Sequence, residues 1–295
     1  MKSGKTIRKT DDFFEKESIS VRTQLKMIRN CMCLFLAVLI LCSVSFRPVS
    51  FAATSTKELV LSILDDLESN NKNCSGAPQQ IVNGTYRAVE LLTIIALNLD
   101  TYGLYNSIIM SSYDSLSENN RSCSGAEQQA TNGMYRCVEL LYIIAKELDT
   151  KGSYSSVISG VLEDWEKYDK SASSAPQQSV NGIYRCVELL AIISLMKDST
   201  GSYNSMIMSV LDDFDRNNKN ASGAPQQEAN GFYRAVDLLT IIALEYDTYG
   251  LYKSTILDTY DGLSKQNAYC DSAPQQCVNG AYRMVEMLAI IALQL

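Results

Sequence analysis

SGAPQQIVNGTYRAVELLTIIA, residues 75–96, decides the fold because the same phrase returns four more times along the chain. Its Asn-Gly pair falls at Asn83, Asn132, Asn181, Asn230 and Asn279, a period of 49 residues each time. A fixed period of this length marks a chain built by repeating one supersecondary unit. Each residue of the phrase therefore belongs to a column of five.

The phrase reads as a long helix. Ser75, Ser124, Ser173, Ser222 and Asp271 stand where a side-chain oxygen can accept from the free N–H groups of a first turn. Pro78, Pro176, Pro225 and Pro274 follow three residues on, where no N–H is needed, and the second copy has Glu127, suited to the positive helix end. About 22 residues at 1.5 Å each give a helix of roughly 33 Å. The second half, AVELLTIIAL in the first copy, is apolar nearly all round, which predicts an inner helix packed on several sides. Gly84 and its four equivalents sit mid-helix, where glycine costs about 1 kcal/mol against alanine. Repeating that cost predicts a helix crossing too close for a Cβ. Asp100-Thr101-Tyr102-Gly103, echoed after Asp149, Asp198 and Asp247, ends the helix with glycine in the left-handed conformation.

Working outward, each inner helix is preceded by a second helical pattern. Its apolar stripe is Leu59, Ile63 and Leu67 in the first copy, then Tyr105, Ile108, Ile109 and Leu116, then Tyr154, Ile158, Leu162 and Trp165. The units pair as hairpins over 57–99, 105–148, 154–197, 203–246 and 252–295. One hairpin cannot bury its apolar faces alone, whereas stacked hairpins share a core. The fold class is all-α: tandem αα-hairpin repeats forming an α-solenoid, with a closed α/α toroid as the alternative. The period is nearest the HEAT and armadillo range, but their signature residues do not occur, so that likeness is one of architecture.

Upstream, residues 31–46 (CMCLFLAVLILCSVSF) are apolar and uncharged. The run is short for a membrane span of about 20 residues. It fits the core of a secretory signal peptide, with Ser50-Phe51-Ala52 as the cleavage site and Met27 as a possible true start. Residues 1–52 thus read as leader and signal, 53–56 as a short linker, and 57–295 as the repeat domain. The expected location is secreted or bound to the cell envelope. An uncleaved signal anchor is the alternative, and only that segment would touch a membrane.

Composition narrows the function. The chain has no histidine, which removes Ser-His-Asp and Cys-His catalysis and histidine metal sites. Of 26 Lys/Arg and 33 Asp/Glu, residues 1–52 hold 9 and 4, leaving 17 and 29, a net of −12, for the remainder. A surface that acidic is a poor match for nucleic acid, whose phosphates need clustered cations. Of the nine cysteines, Cys31, Cys33 and Cys42 lie in the signal region. Cys137 and Cys186 read as small core thiols. Cys74, Cys123 and Cys270 share a column whose spacing of about 8–10 Å exceeds disulfide reach, so Cys270–Cys277 is the disulfide candidate. The spacings hold no zinc motif, and neither a metal nor a cofactor is expected.

Stacking aligns the polar residues. Gln79, Asn83, Arg87 and Glu90 share one helix face, flanked by Tyr86. The same set returns as Gln128, Asn132, Tyr135 and Arg136, as Gln177, Asn181, Tyr184 and Arg185, and as Gln226, Asn230, Tyr233 and Arg234. A second acidic column runs Asp65, Asp114, Glu163, Asp212 and Asp261 on the outer helices. One reading makes these columns a ladder gripping an extended peptide or glycan. The other makes each arginine an internal bridge between acids, for which its planar five-donor head is suited. Copy identity does not choose between them, since 75–123 and 222–270 share 33 of 49 positions and duplication copies idle residues too. A catalytic site is a unique constellation, and the chief unrepeated feature is Trp165 among Glu163, Asp164 and Glu166. That pattern reads as a core aromatic beside a solvated face. No catalytic residue is assigned. The expected function is an exported binding or scaffolding module for an extracellular or cell-envelope protein, peptide or glycan. The alternatives are a glycan-active hydrolase or lyase on an α/α toroid and a self-associating structural envelope protein.

Overall fold

The inner helices begin where proline and the missing N–H allow and end ahead of the loop in which glycine turns the chain. In the computed structural model, α2 spans Ala77–Leu99, α4 Ala126–Leu148, α6 Ala175–Lys197, α8 Ala224–Tyr246 and α10 Ala273–Gln294. The outer helices are α1 Thr56–Lys72, α3 Asn106–Arg121, α5 Ser155–Asp164, α7 Asn204–Asn220 and α9 Lys253–Asn267. The structure describes residues 55–72, 76–121, 125–169, 172, 174–221, 223–267 and 272–295. Among them the chain is all-α. The leader, the first two linker residues, the expected caps from Ser75 to Asp271, and Cys74, Cys123 and Cys270 lie outside the described residues. The N-cap positions fall one residue later than expected, on Gly76, Gly125, Ser174, Gly223 and Ser272, and none makes a side-chain cap hydrogen bond.

The inner helices pack in chain order, α2 on α4, α4 on α6, α6 on α8 and α8 on α10. The packing then continues from α10 to α2, as extensively as between consecutive hairpins. Each outer helix lies against the inner helix of its own hairpin and that of the preceding one, and α1 finds its second neighbour in α10. In an open solenoid the first and last hairpins would be farthest apart; here their inner helices pack together.

The mid-helix glycines explain how the inner helices come so close. A Cβ on Gly133 would stand 2.6 Å from Thr85 Oγ1, one on Gly182 2.8 Å from Met134 Cβ, and one on Gly231 2.6 Å from Ile183. In each case the obstacle is the residue after the glycine of the preceding inner helix. Gly84 makes the same contact with Ala281, at 2.9 Å, across the junction of last and first hairpins. The same contact recurs at the fifth pairing of inner helices, where a Cβ on Gly280 would stand 2.5 Å from Phe232 Cβ.

The core is the inner ring and the stripes facing it. Leu91, Leu140, Leu189 and Leu238 are fully buried, as are Ile109, Ile158, Ile207 and Ile256 on the outer helices. The outer stripe differs from expectation at Ile108, which is exposed while Ile109 carries the contact. Trp165 is buried and stacks edge-on against Tyr135 at 4.5 Å between ring centres. It opens a single π turn, Trp165–Asp169, where the other described outer helices remain α. Helix α6 is long and apolar enough to cross a membrane, but about two-thirds of that stretch is buried inside the repeat unit. That is the signature of a core helix.

Candidate functional site

The polar columns face the outer helices. Arg87 pairs with Glu90 at 2.7 Å, Arg136 with Glu139 at 2.6 Å, Arg185 with Glu188 and Arg234 with Asp237 at 2.8 Å. Arg283 pairs likewise with Glu286. The five arginine side chains are 16–26% exposed, so their stems are packed and their charges are used within the fold. Arg87 also reaches Asp66 at 3.2 Å and Arg185 reaches Asp164 at 3.7 Å. These partners lie one residue past the acidic column picked out in sequence, whose members Asp65, Asp114, Glu163, Asp212 and Asp261 are exposed. Gly262 occupies the equivalent of Asp66 in the last hairpin, and the Arg283 guanidinium packs over it.

The rest of the ladder follows suit. Asn83 is buried and donates to the Leu67 carbonyl at 3.2 Å, tying inner helix to outer. Gln177 donates to Asn181 at 3.2 Å and Gln226 to Asn230 at 3.4 Å, down the same helix face. Tyr135 meets Trp165 and Tyr184 meets Phe214, each edge-on and each across to the next hairpin. The half-buried side chains of Gln79, Tyr86, Gln128, Asn132 and Tyr233 continue these columns. Burial shows in the acids: it pushes Glu90 up to about 7 against the pull of Arg87, and Asp237 up to about 6 against Arg234. The charged and amide groups thus tie each inner helix to itself and to its own outer helix, and the Tyr135 and Tyr184 rings reach the next hairpin.

Among the remaining polar groups, one cluster is not repeated. Glu228 stands where the other copies have Ile81, Ala130, Ser179 and Cys277. Its Oε1 accepts from Ser179 Oγ at 2.6 Å, and Cys277 Sγ lies 3.9 Å from Oε2 while donating to the Pro225 carbonyl at 3.3 Å. Burial pushes the Glu228 carboxyl above the usual range, with hydrogen bonds from Ser179 and Cys277 opposing and Glu127 adding to the rise. Cys277, half of the disulfide candidate, is thus a buried free thiol, as are Cys137 and Cys186, and burial raises Cys137 to about 12. No column argument could have singled out Glu228; only its departure from the repeat does.

Along the ring axis, Leu92, Ile95, Leu141, Ile144, Leu190, Ile193 and their equivalents meet in an apolar seam. Its free space is about that of a water molecule, too narrow for an organic ligand.

The loops leaving the inner helices present a different surface. Helices α2, α4, α6 and α8 end at their C-cap aspartates, Asp100, Asp149, Asp198 and Asp247, and not, as expected, at the glycine. Gly103, Gly152, Gly201 and Gly250, three residues on, take φ of 67–72° and close the turn by donating to the aspartate carbonyl. The aspartate before each then accepts from the first N–H groups of the next helix. Asp100 bonds Leu104 N at 2.7 Å and Tyr105 N at 3.0 Å, and Asp149, Asp198 and Asp247 bond Tyr154, Tyr203 and Tyr252 N at 2.8–3.0 Å. The sequence signal was the aspartate five residues before each tyrosine, and reading the loop only as a stop missed its role as a start. On these fixed turns Tyr102 and Tyr249 are 86% and 87% exposed, and Leu104 and Leu251 71% and 75%. Ile108, Val157 and Met206, in the first turns of the outer helices, are also exposed at this end. Comparisons with family models, curated proteins and solved structures return no match.

Proposed function

We propose that the chain is an exported binding or scaffolding module, built as a closed α/α toroid of five hairpins, that engages an extracellular or cell-envelope protein, peptide or glycan. The observation that carries this reading is the loop end of the ring. Exposed tyrosine and leucine side chains stand there on turns fixed by Asp100, Gly103 and their equivalents. Preorganised aromatic groups lose little freedom on contact, and tyrosine combines a stacking face with a hydrogen-bonding tip. The Arg, Asn and most Gln bonds of the columns, by contrast, are made within a helix or to the outer helix of the same hairpin, and Tyr135 and Tyr184 stack on the next hairpin, so the loops are the surface we favour for contact.

The test is a glycan and peptide array probed with the purified chain and with Tyr102→Ala/Tyr249→Ala. Binding that survives unchanged in the double variant excludes the loop end. A glycan-active enzyme on the same ring is the second reading, and Glu228, an unrepeated carboxyl with a raised pKa, is what favours it. Both its oxygens are engaged between inner helices, which is the reason for placing it second.

A further inference from the structure

The two ends of the ring differ in charge. Outer helices run from the loop end to the opposite end, and their acids gather in the second half. Asp65, Asp66, Glu68, Asp114, Glu163, Asp164, Glu166, Asp212, Asp215 and Asp261 are all exposed there, with Lys167, Arg216 and Lys265 as exposed bases. At the loops and in the first half of the outer helices that follow, the exposed charges are Lys57, Glu58, Lys151, Lys253 and Asp258. The loop aspartates are consumed as caps, and Lys197 lies over the Tyr246 ring at 3.8 Å. Among the described residues the exposed negative charge is therefore concentrated at the end opposite the loops.

We infer that the loop end pairs with the same end of a second copy of this chain, which holds only if that end is the contact surface proposed above. Two equally acidic molecules repel wherever their acids meet, and the loop end is where that repulsion is least. It is also where the large apolar side chains are displayed. Two tyrosines contribute about 300–500 Å². Adding Leu104, Leu251, Ile108 and Met206 brings the face toward the roughly 800 Å² per partner of a standard interface. The loops are placed for two-fold symmetry. Residues 100–105 and 247–252 have the same sequence, DTYGLY, and flank the hairpins on either side of the closing contact between α10 and α2. A two-fold axis between them sets the Tyr102 loop of one copy on the Tyr249 loop of the other, and the reverse, as an isologous interface requires. The acidic ends then point outward, left free to keep the pair soluble.

Sedimentation equilibrium on the full chain from about 1 to 100 µM is the experiment, since standard-size interfaces commonly hold within that range. The expected result is a dimer that Tyr102→Glu/Tyr249→Glu weakens by at least about 100-fold, with far-UV circular dichroism and melting unchanged because both sites are exposed. A wild-type monomer throughout the range overturns the pairing, and so does a double variant that associates as the wild type does. Mixing Leu104→Cys and Leu251→Cys chains under oxidation gives a readout free of inserted charge: 104–251 cross-links must form between copies, and their absence overturns the two-fold arrangement. If the wild type is monomeric yet array binding is lost in Tyr102→Ala/Tyr249→Ala, the second copy is excluded while the loop end stands as a contact surface. Loss of neither result excludes both.

Discussion

Inner and outer helices are made from the same repeat and answer to different constraints. An inner helix touches two other inner helices and two outer ones, and most side chains in its second half are buried. An outer helix touches two inner helices and presents its remaining face to water. The consequence is visible in what each tolerates. Inner helices keep glycine at one position in all five copies, whereas the matching outer-helix position holds Leu67, Leu116, Trp165, Phe214 or Leu263. Closure depends on the inner crossing being the same each time, while the outer layer absorbs differences of a whole indole ring and one π turn.

Glycine gives the sharpest way to break that contrast, because one substitution should have opposite signs in the two layers. Gly280→Ala puts a Cβ 2.5 Å from Phe232 Cβ, a rigid part of the neighbouring inner helix. Overpacking of that kind costs about 3 kcal/mol, more than the roughly 1 kcal/mol that alanine gains as a helix former. The expected net loss is about 2 kcal/mol in urea unfolding. Gly160→Ala, in outer helix α5, meets nothing within 4 Å and should instead stabilise by about 0.5–1 kcal/mol. Two losses of equal size would mean the crossing is not what glycine is there for.

How much of this could be read in advance follows the same division. The 49-residue period and the glycine crossing recur in every copy, and the proline start and the Asp-x-x-Gly loop in four of the five, so all express strong local rules. The packing of α10 on α2 was not legible, because a small rotation per repeat decides whether the first and last hairpins meet and no single residue encodes it. The arginine columns were ambiguous for a related reason. A polar stripe at helical spacing looks alike whether it faces solvent or an acid on the next element. The placement of Asp66 and Asp164 beside Arg87 and Arg185 is information that the stripe itself does not carry. The loop end was hidden by the habit of reading Asp-Thr-Tyr-Gly as punctuation, although Asp100 shows that it stops one helix and starts the next.

The seam between the layers gives the next effect in size. Arg136→Ala leaves Glu139, which also accepts from Ser112 at 2.7 Å, partly buried without its cation. Half-buried pairs lie between the negligible worth of surface bridges and the several kcal/mol lost on breaking a buried one. A loss of about 1–2 kcal/mol is expected. Glu139→Gln in the same background should recover part of it, since the amide needs no counter-charge. Absence of recovery would mean that lost packing of the arginine stem, and not the stranded carboxylate, sets the cost.

The smallest effect separates the layers by pH. Glu90 and Asp237 lie at the seam and Glu228 between inner helices, and burial raises all three above ordinary carboxyl values. A raised carboxyl pKa means that the folded chain holds protons the unfolded chain has released. The contribution of these groups to folding stability is therefore fully present below the unfolded values, 3.8 for Asp237 and 4.5 for Glu90, and is lost as pH rises through the folded values of about 6 for Asp237 and about 7 for Glu90. Urea unfolding at pH 5, 6 and 7 should show a steady decline. Glu228→Gln removes one of the three titrations without removing the hydrogen-bond acceptor for Ser179, so its decline should be shallower than that of the wild type. Asp212→Asn, on the exposed outer face, should leave the wild-type slope as it is. If the Asp212 variant flattens the curve and the Glu228 variant does not, the pH dependence comes from repulsion over the acidic end, and the buried carboxyl beside Ser179 contributes nothing to it.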